Sequence, residues 1–202
     1  QLSRTHGVPV YAFAGDVAAS GGYWLLCAAN AGVFASPVSV VGSVGVVAPN
    51  FGAHEALRRW GLERRVYTAG RCKSMLDPFK PEDPDDKRRL QALLDDLHQS
   101  FVDLVRRSRG GKVREEADPD VFQGKVYTGR QALELGLVDG LGELKSVMRA
   151  EVGEDARFRV FEPPSLGLWS AWAGSAWSLA EAGAAGGARS LAEGALDALE
   201  DR

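Results

Sequence analysis

Ala18-Ala19-Ser20-Gly21-Gly22-Tyr23-Trp24 is the stretch on which the reading of this sequence turns. Ahead of it, Val8-Pro9-Val10-Tyr11-Ala12-Phe13-Ala14 is short, β-branched and aromatic, the composition of a buried strand. Behind it, Tyr23-Trp24-Leu25-Leu26-Cys27-Ala28-Ala29 has no breaker before Gly32 and predicts a buried helix. Ser20 thus falls at a strand-to-helix junction, where the first helical N–H groups lack partners within the helix. Two roles suit a hydroxyl there. It can cap the helix, with Gly21 and Gly22 as packing glycines. It can also act as a nucleophile, with backbone donors at hand to hold an oxyanion and glycines that let another backbone approach. The heptad alone leaves both open.

Outward from it, short strands and helices alternate. Val33-Phe34-Ala35-Ser36-Pro37 reads as a strand closed by proline, and Val40 to Val47 as a β-branched run in which Gly42 and Gly45 flank Ser43. Glycines in such a run mark a bulge or a close backbone approach. Ala53 to Trp60 predicts a helix ending at Gly61, and Glu63 to Ala69 a strand. Such alternation favours an α/β fold with a mainly parallel sheet.

The loop that follows, Ala69 to Phe79, sets Lys73 among Met75, Leu76 and Phe79. A lysine on a turn is ordinarily a solvated charge. Alongside Ser20 a second role arises, since a neutral amine can take the proton of a serine hydroxyl. An amine does so near neutral pH only when apolar surroundings bring its pKa from about 10.4 towards about 7–8.

Pro81-Glu82-Asp83-Pro84-Asp85-Asp86 is a strong helix start, and Leu90, Leu93, Leu94, Leu97, Phe101, Leu104 and Val105 then recur at spacings of three and four. That amphipathic helix is expected to end near Arg109-Gly110-Gly111, its stripe serving as core or as a subunit contact. Arg106, Arg107, Arg109, Lys112 and Arg114 suit the negative end of its dipole. Further on come a loop and a short strand over Asp118–Arg130, a helix over Arg130–Leu135 capped by Thr128, a helix from Glu143 to about Val152 and a strand over Arg157–Phe161. From Pro163 the composition turns to Ala, Gly, Ser and Trp, an irregular or weakly helical tail with Trp169, Trp172 and Trp177. The expected organisation is a compact domain over 1–162 and an extension over 163–202.

Composition narrows the function classes. The 202 residues, 45% hydrophobic, can bury one sizeable core, and a net charge of −3 gives no basic field for nucleic acid. No run approaches the roughly 18 apolar residues of a membrane helix. Cys27 and Cys72 have neither disulfide-framework nor zinc-site spacing, and no metal or cofactor is implied. Gln1-Leu2-Ser3-Arg4 reads as the end of a helix without a start signal, so the chain is expected to be part of a longer protein.

Taken together, Ala18 to Trp24, Val41-Gly42-Ser43-Val44-Gly45-Val46, Thr68-Ala69-Gly70 through Lys73, and Gly124 to Ala132 with Gly136-Leu137-Val138-Asp139 resemble the signal peptide peptidase A (SppA) family of serine proteases, most closely its SohB-like branch. The resemblance runs in order from about Val8 to about Val152. It implies a ClpP/crotonase-like fold of stacked ββα units, with the N-terminal part missing here, and a serine endopeptidase acting on short hydrophobic peptides, such as residual signal peptides, at a membrane. Matched motif by motif, Ser20 is the nucleophile, Lys73 the general base, Ser43 the serine that orients the lysine, and the Gly21 N–H one oxyanion donor. The second donor would come from a glycine-rich turn upstream of this chain. Ring-forming homo-oligomers are implied as well, in which serine and lysine can come from adjacent protomers, with membrane association through a region outside the chain. Asn30 stands where relatives usually carry aspartate. Leu25, Val46 and Met75 suggest an apolar substrate preference.

Two other readings compete. A Ser-His hydrolase would need His6, His54 or His98 as base, and none is set apart by its surroundings in sequence. A catalytically silent ring subunit or an acyl-thioester binder would share the fold; hydration of such thioesters calls for a carboxylate pair that no motif supplies.

Overall fold

The computed structural model describes residues 5–161 apart from Arg71, so the expected tail and the start of the chain lie outside the described residues. Strands β1 (Tyr11–Ala14), β3 (Gly32–Ala35) and β6 (Gly140–Leu141) form one sheet in the order β1-β3-β6. Strands β2 (Val17–Ala19), β4 (Val40–Gly42) and β5 (Val126–Thr128) form a second in the order β2-β4-β5. The first strands of two successive ββ pairs meet in one sheet (Tyr11 opposite Gly32) and the second strands in the other (Val17 opposite Val40). The third contribution arrives in reverse, β5 antiparallel to β4 and then β6 parallel to β3. This is the stacked ββα plan in a mainly parallel α/β fold.

Helices fill the connections: α1 (Gly21–Leu26), α2 (His54–Arg59), α3 (Pro84–Arg109), α4 (Gly129–Glu134) and α5 (Leu144–Val152). Local chemistry sets their ends. Asp83 accepts from the Asp85 N–H at the start of α3, and Gly110 closes it in the left-handed conformation at φ 57°. Thr128 and Gln131 form a reciprocal capping box on α4.

The core gathers the inward positions of both sheets with one end of α3: Tyr23, Val33, Ala35, Val41, Val44, Val105, Leu137 and Val138 are each at most 2% exposed. At the centre of the first sheet the Phe34 ring stacks on Phe13 at 5.3 Å between centroids. A Cβ at Gly32, two residues along the strand, or at Gly140, opposite Phe34 on β6, would come within 2.7 or 2.8 Å of that ring, so a side chain at either position would have to displace it. A charged network ties α3 to this sheet. Arg109, 3% exposed, donates to both carboxylate oxygens of Asp139 and to the Gly136 carbonyl, while Asp139 also accepts from Lys112 and from the Val33 N–H.

The α3 stripe is covered towards its C-terminal end and partly open before it. Phe101, Val102 and Val105 are buried, whereas Leu93 and Leu97 are 49% and 45% exposed. Asn30 accepts from the Val10 N–H at 2.7 Å and donates to the Val8 carbonyl at 3.3 Å, clamping the entry to β1 with both ends of its amide.

Two expected strands are not strands. Residues 63–69 have no regular secondary structure and all are exposed, and Arg64 and Arg65 are held by carboxylates rather than by a neighbouring strand. A β-rich composition without a sheet edge to join leaves the backbone unpaired. Arg157–Phe161 is likewise irregular, with Val160 and Phe161 exposed. Conversely, β2 and β6, of three and two residues, are too short for alternation to announce them. Among the described residues no helix is long and apolar enough to cross a membrane.

Candidate active site

The β2-to-α1 junction carries the unusual backbone of the molecule. Ser20 sits at φ 51°, ψ −118°, at the N-cap position of α1, yet its side chain makes no capping hydrogen bond. Its N–H donates to the Gly42 carbonyl at 2.8 Å, extending the β2–β4 pairing by one step, and its own carbonyl accepts from Trp24. The parallel register that sets Ala19 opposite Gly42 therefore brings Ser20 beside Ser43. For a non-glycine residue this conformation costs roughly 1–3 kcal/mol, a cost that persists only where the surroundings impose it. A sharp strand-to-helix turn of this general kind presents the nucleophile in α/β-hydrolase folds.

Ser43 is held as firmly. It too has positive φ, 53°, and its N–H donates to the Lys125 carbonyl at 2.8 Å, while the Gly124 N–H donates to Val44 at 3.0 Å. The close approach expected of the glycines occurs at Gly45, where a Cβ would lie 3.0 Å from the Gly124 Cα. At Gly21 and Gly22 it does not: a Cβ at Gly21 would meet nothing within 4 Å, and at Gly22 only Ala18 at 3.8 Å. The space a side chain at Gly21 would occupy is open.

Ser20, Gly21 and Ser43 share one cleft of about 560 Å³. Trp24, Val46, Val47, Leu97 and Phe101 are its apolar lining, joined by Gly45, Gln123 and Gly124. The Trp24 and Phe101 rings pack at 5.0 Å and 50°. Of the expected apolar contributors, Val46 is in the wall. Leu25 is 73% exposed and, like Met75, is not part of it. Leu97 and Phe101 were legible only as members of the α3 stripe, which did not say what the stripe faces.

Lys73 lies outside these walls. It is exposed on the turn over residues 72–76, its N–H donating to the Gly70 carbonyl at 3.1 Å. The chain thus brings three of the four expected site residues together and leaves the lysine apart. The histidines do not replace it. His98 Nε2 is engaged with the Phe122 carbonyl at 2.6 Å, His54 lies beside Glu55, and among the described residues no histidine or carboxylate lines the cleft. Among the described residues no cluster of three His, Cys, Asp or Glu side chains could hold a metal ion. Cys27 is buried, and Cys72 is exposed rather than packed as a small apolar residue.

Comparison with known proteins adds a family-level finding. A family model described as "Peptidase family S49" matches residues 3–156. A Brucella abortus protein named "Na(+)/H(+) antiporter NhaA" is 44% identical over 162 residues, 80% of this chain but 22% of its own length. An Arabidopsis thaliana protein named "Serine protease SPPA, chloroplastic" is 34% identical over 140 residues, 67% of this chain and 20% of its own. A Haemophilus influenzae protein named "Probable protease SohB" is 31% identical over 141 residues, 69% of this chain and 38% of its own. The chain spans well under two thirds of the length of each of these relatives.

Proposed function

The chain belongs to peptidase family S49, and from that premise we propose that it is the catalytic part of a serine endopeptidase that cleaves short hydrophobic peptides with Ser20 as nucleophile and Lys73 as general base. The observation that carries this reading is the Ser20 backbone: a strained, positive-φ serine whose hydroxyl is not used as a cap and which opens onto an apolar cleft. In the proposed reaction the Lys73 amine takes the Ser20 hydroxyl proton as Oγ bonds to the substrate carbonyl carbon. The Gly21 N–H then donates to the oxygen that becomes negative. The leaving amine takes the proton back from Lys73, and water, activated by the same amine, releases the acyl group from Oγ. Ser43, beside Ser20, orients the lysine. The cleft wall would take an apolar side chain.

Because Lys73 stands clear of the Ser20 cleft within one chain, we assign it to the cleft of an adjacent protomer in a homo-oligomeric ring. Membrane association, with residual signal peptides as substrates, follows from the likeness to the SppA and SohB proteases and belongs to the same proposal. Mixing subunits tests it. Ser20→Ala and Lys73→Ala should each reduce cleavage of an apolar peptide by about four orders of magnitude or more. Mixed oligomers of the two should regain a sizeable fraction. Cleavage undiminished in Ser20→Ala would remove the serine from the chemistry, and two inactive variants without recovery on mixing would refute the shared site. The distance of Lys73 from the cleft also favours a second reading, a catalytically silent subunit of the same fold; an assembled wild type that cleaves no apolar peptide would establish it.

A further inference from the structure

The segment that carries Lys73 has no secondary structure, and its own hydrogen bonds, Lys73 N–H to Gly70 and Met75 N–H to Cys72, are local. What ties it to the preceding segment of the chain is concentrated just downstream. Asp77 has a carboxylate only 5% exposed, paired with the guanidinium of Arg64, which is 42% exposed. The same carboxylate accepts from the Phe79 N–H at 3.0 Å, and the Arg64 guanidinium lies 4.8 Å over the Phe79 ring. On either side, Asn50 Nδ2 donates to the Leu76 carbonyl at 3.1 Å and the Ala53 N–H to the Pro78 carbonyl at 2.6 Å. Leu76 itself is bent to φ 63° between them. Apart from the local Phe79 bond these tethers run to residues 50–64, and the ion pair is the one whose strength depends on charge at a nearly buried group.

We propose that Asp77, through its pairing with Arg64, is the positioning residue for the catalytic lysine: it sets where the 72–76 turn holds the Lys73 amine. The proposal rests on the dyad reading above. A buried carboxylate four residues beyond the base takes no part in the proton transfers, so its function is geometric. A displacement of about 1 Å of a catalytic group lowers turnover on the order of a hundredfold without weakening substrate binding. Arg64 and Asp77 should therefore matter for kcat and little for KM.

The test uses the assembled protein and an apolar peptide substrate, with Lys73→Ala, Asp77→Asn, Arg64→Gln and the exchanged pair Arg64→Asp/Asp77→Arg. Asp77→Asn and Arg64→Gln are expected to lower kcat at least about tenfold with KM within about twofold, and the exchanged pair to recover most of the loss. Arg64 is partly exposed, so Arg64→Gln keeps the question answerable if Asp77→Asn does not fold. Unchanged kcat in Arg64→Gln, a rise in KM alone, or an exchanged pair no better than the single variants would overturn the positioning role. If those results came with an inactive Lys73→Ala, the dyad would stand without it. Full activity in Lys73→Ala would overturn the dyad and this proposal together.

Discussion

Replacing Asp139 by asparagine should unfold this protein far more readily than so small a change suggests. The carboxylate accepts from Arg109 at 2.8 and 2.9 Å, from Lys112 at 2.7 Å and from the Val33 N–H at 2.9 Å, and Arg109 is 3% exposed. Asparagine keeps the shape but turns one acceptor into a donor facing another donor, and it leaves the Arg109 guanidinium buried without its counter-charge. Breaking a buried pair in this way costs about 3–5 kcal/mol. At roughly 2–4 °C per kcal/mol for a domain of this size, the unfolding midpoint should fall by about 6–20 °C. Urea unfolding followed by tryptophan fluorescence measures the loss directly, and its pH dependence identifies the cause. Burial alone would raise the Asp139 pKa, but the Arg109, Lys112 and Val33 hydrogen bonds outweigh it and hold the carboxyl well below the usual carboxylate range. A group whose folded pKa is depressed contributes stability above its unfolded value, about 3.9, and loses it as pH falls through the folded one. The gap between wild type and Asp139→Asn should accordingly be full at pH 7 and shrink as pH falls below about 4. A loss under about 1 kcal/mol at pH 7, or a gap as wide in acid as at neutrality, would refute the assigned role of the pair.

Two further outcomes follow from single residues. Because Ser20 is held at φ 51°, Ser20→Gly should be more stable than Ser20→Ala by about 1 kcal/mol, both variants being inactive; an alanine variant equal or superior in urea would show that the turn stores no strain. In the native protein at pH 8 an aromatic disulfide reagent should modify Cys72 within minutes and Cys27 only after denaturation. Cys72 is exposed, and burial pushes the Cys27 thiol up to about 11, so two fast thiols would contradict the packing of α1.

The sequence by itself determined the local and periodic features. Asp83, Pro84 and Gly110 bound α3 because capping chemistry acts within one turn, and Thr128 with Gln131 announces α4 for the same reason. The ordered motifs from Ala18 to Asp139 carried the family, and the Ser20 junction was visible because a strand signal stops where a helix signal begins. Short-range patterns could not supply pairing. Residues 63–69 have strand composition yet meet no edge, whereas the three residues of β2 are a strand only because β4 lies beside them. Tertiary structure alone decided that the β2–β4 register sets Ser20 against Ser43, that Leu97 and Phe101 of α3 line that cleft, and that Lys73 does not. Each of these depends on contacts between residues far apart in sequence. No single segment encodes such contacts, because their free energy appears only when both partners are already in place.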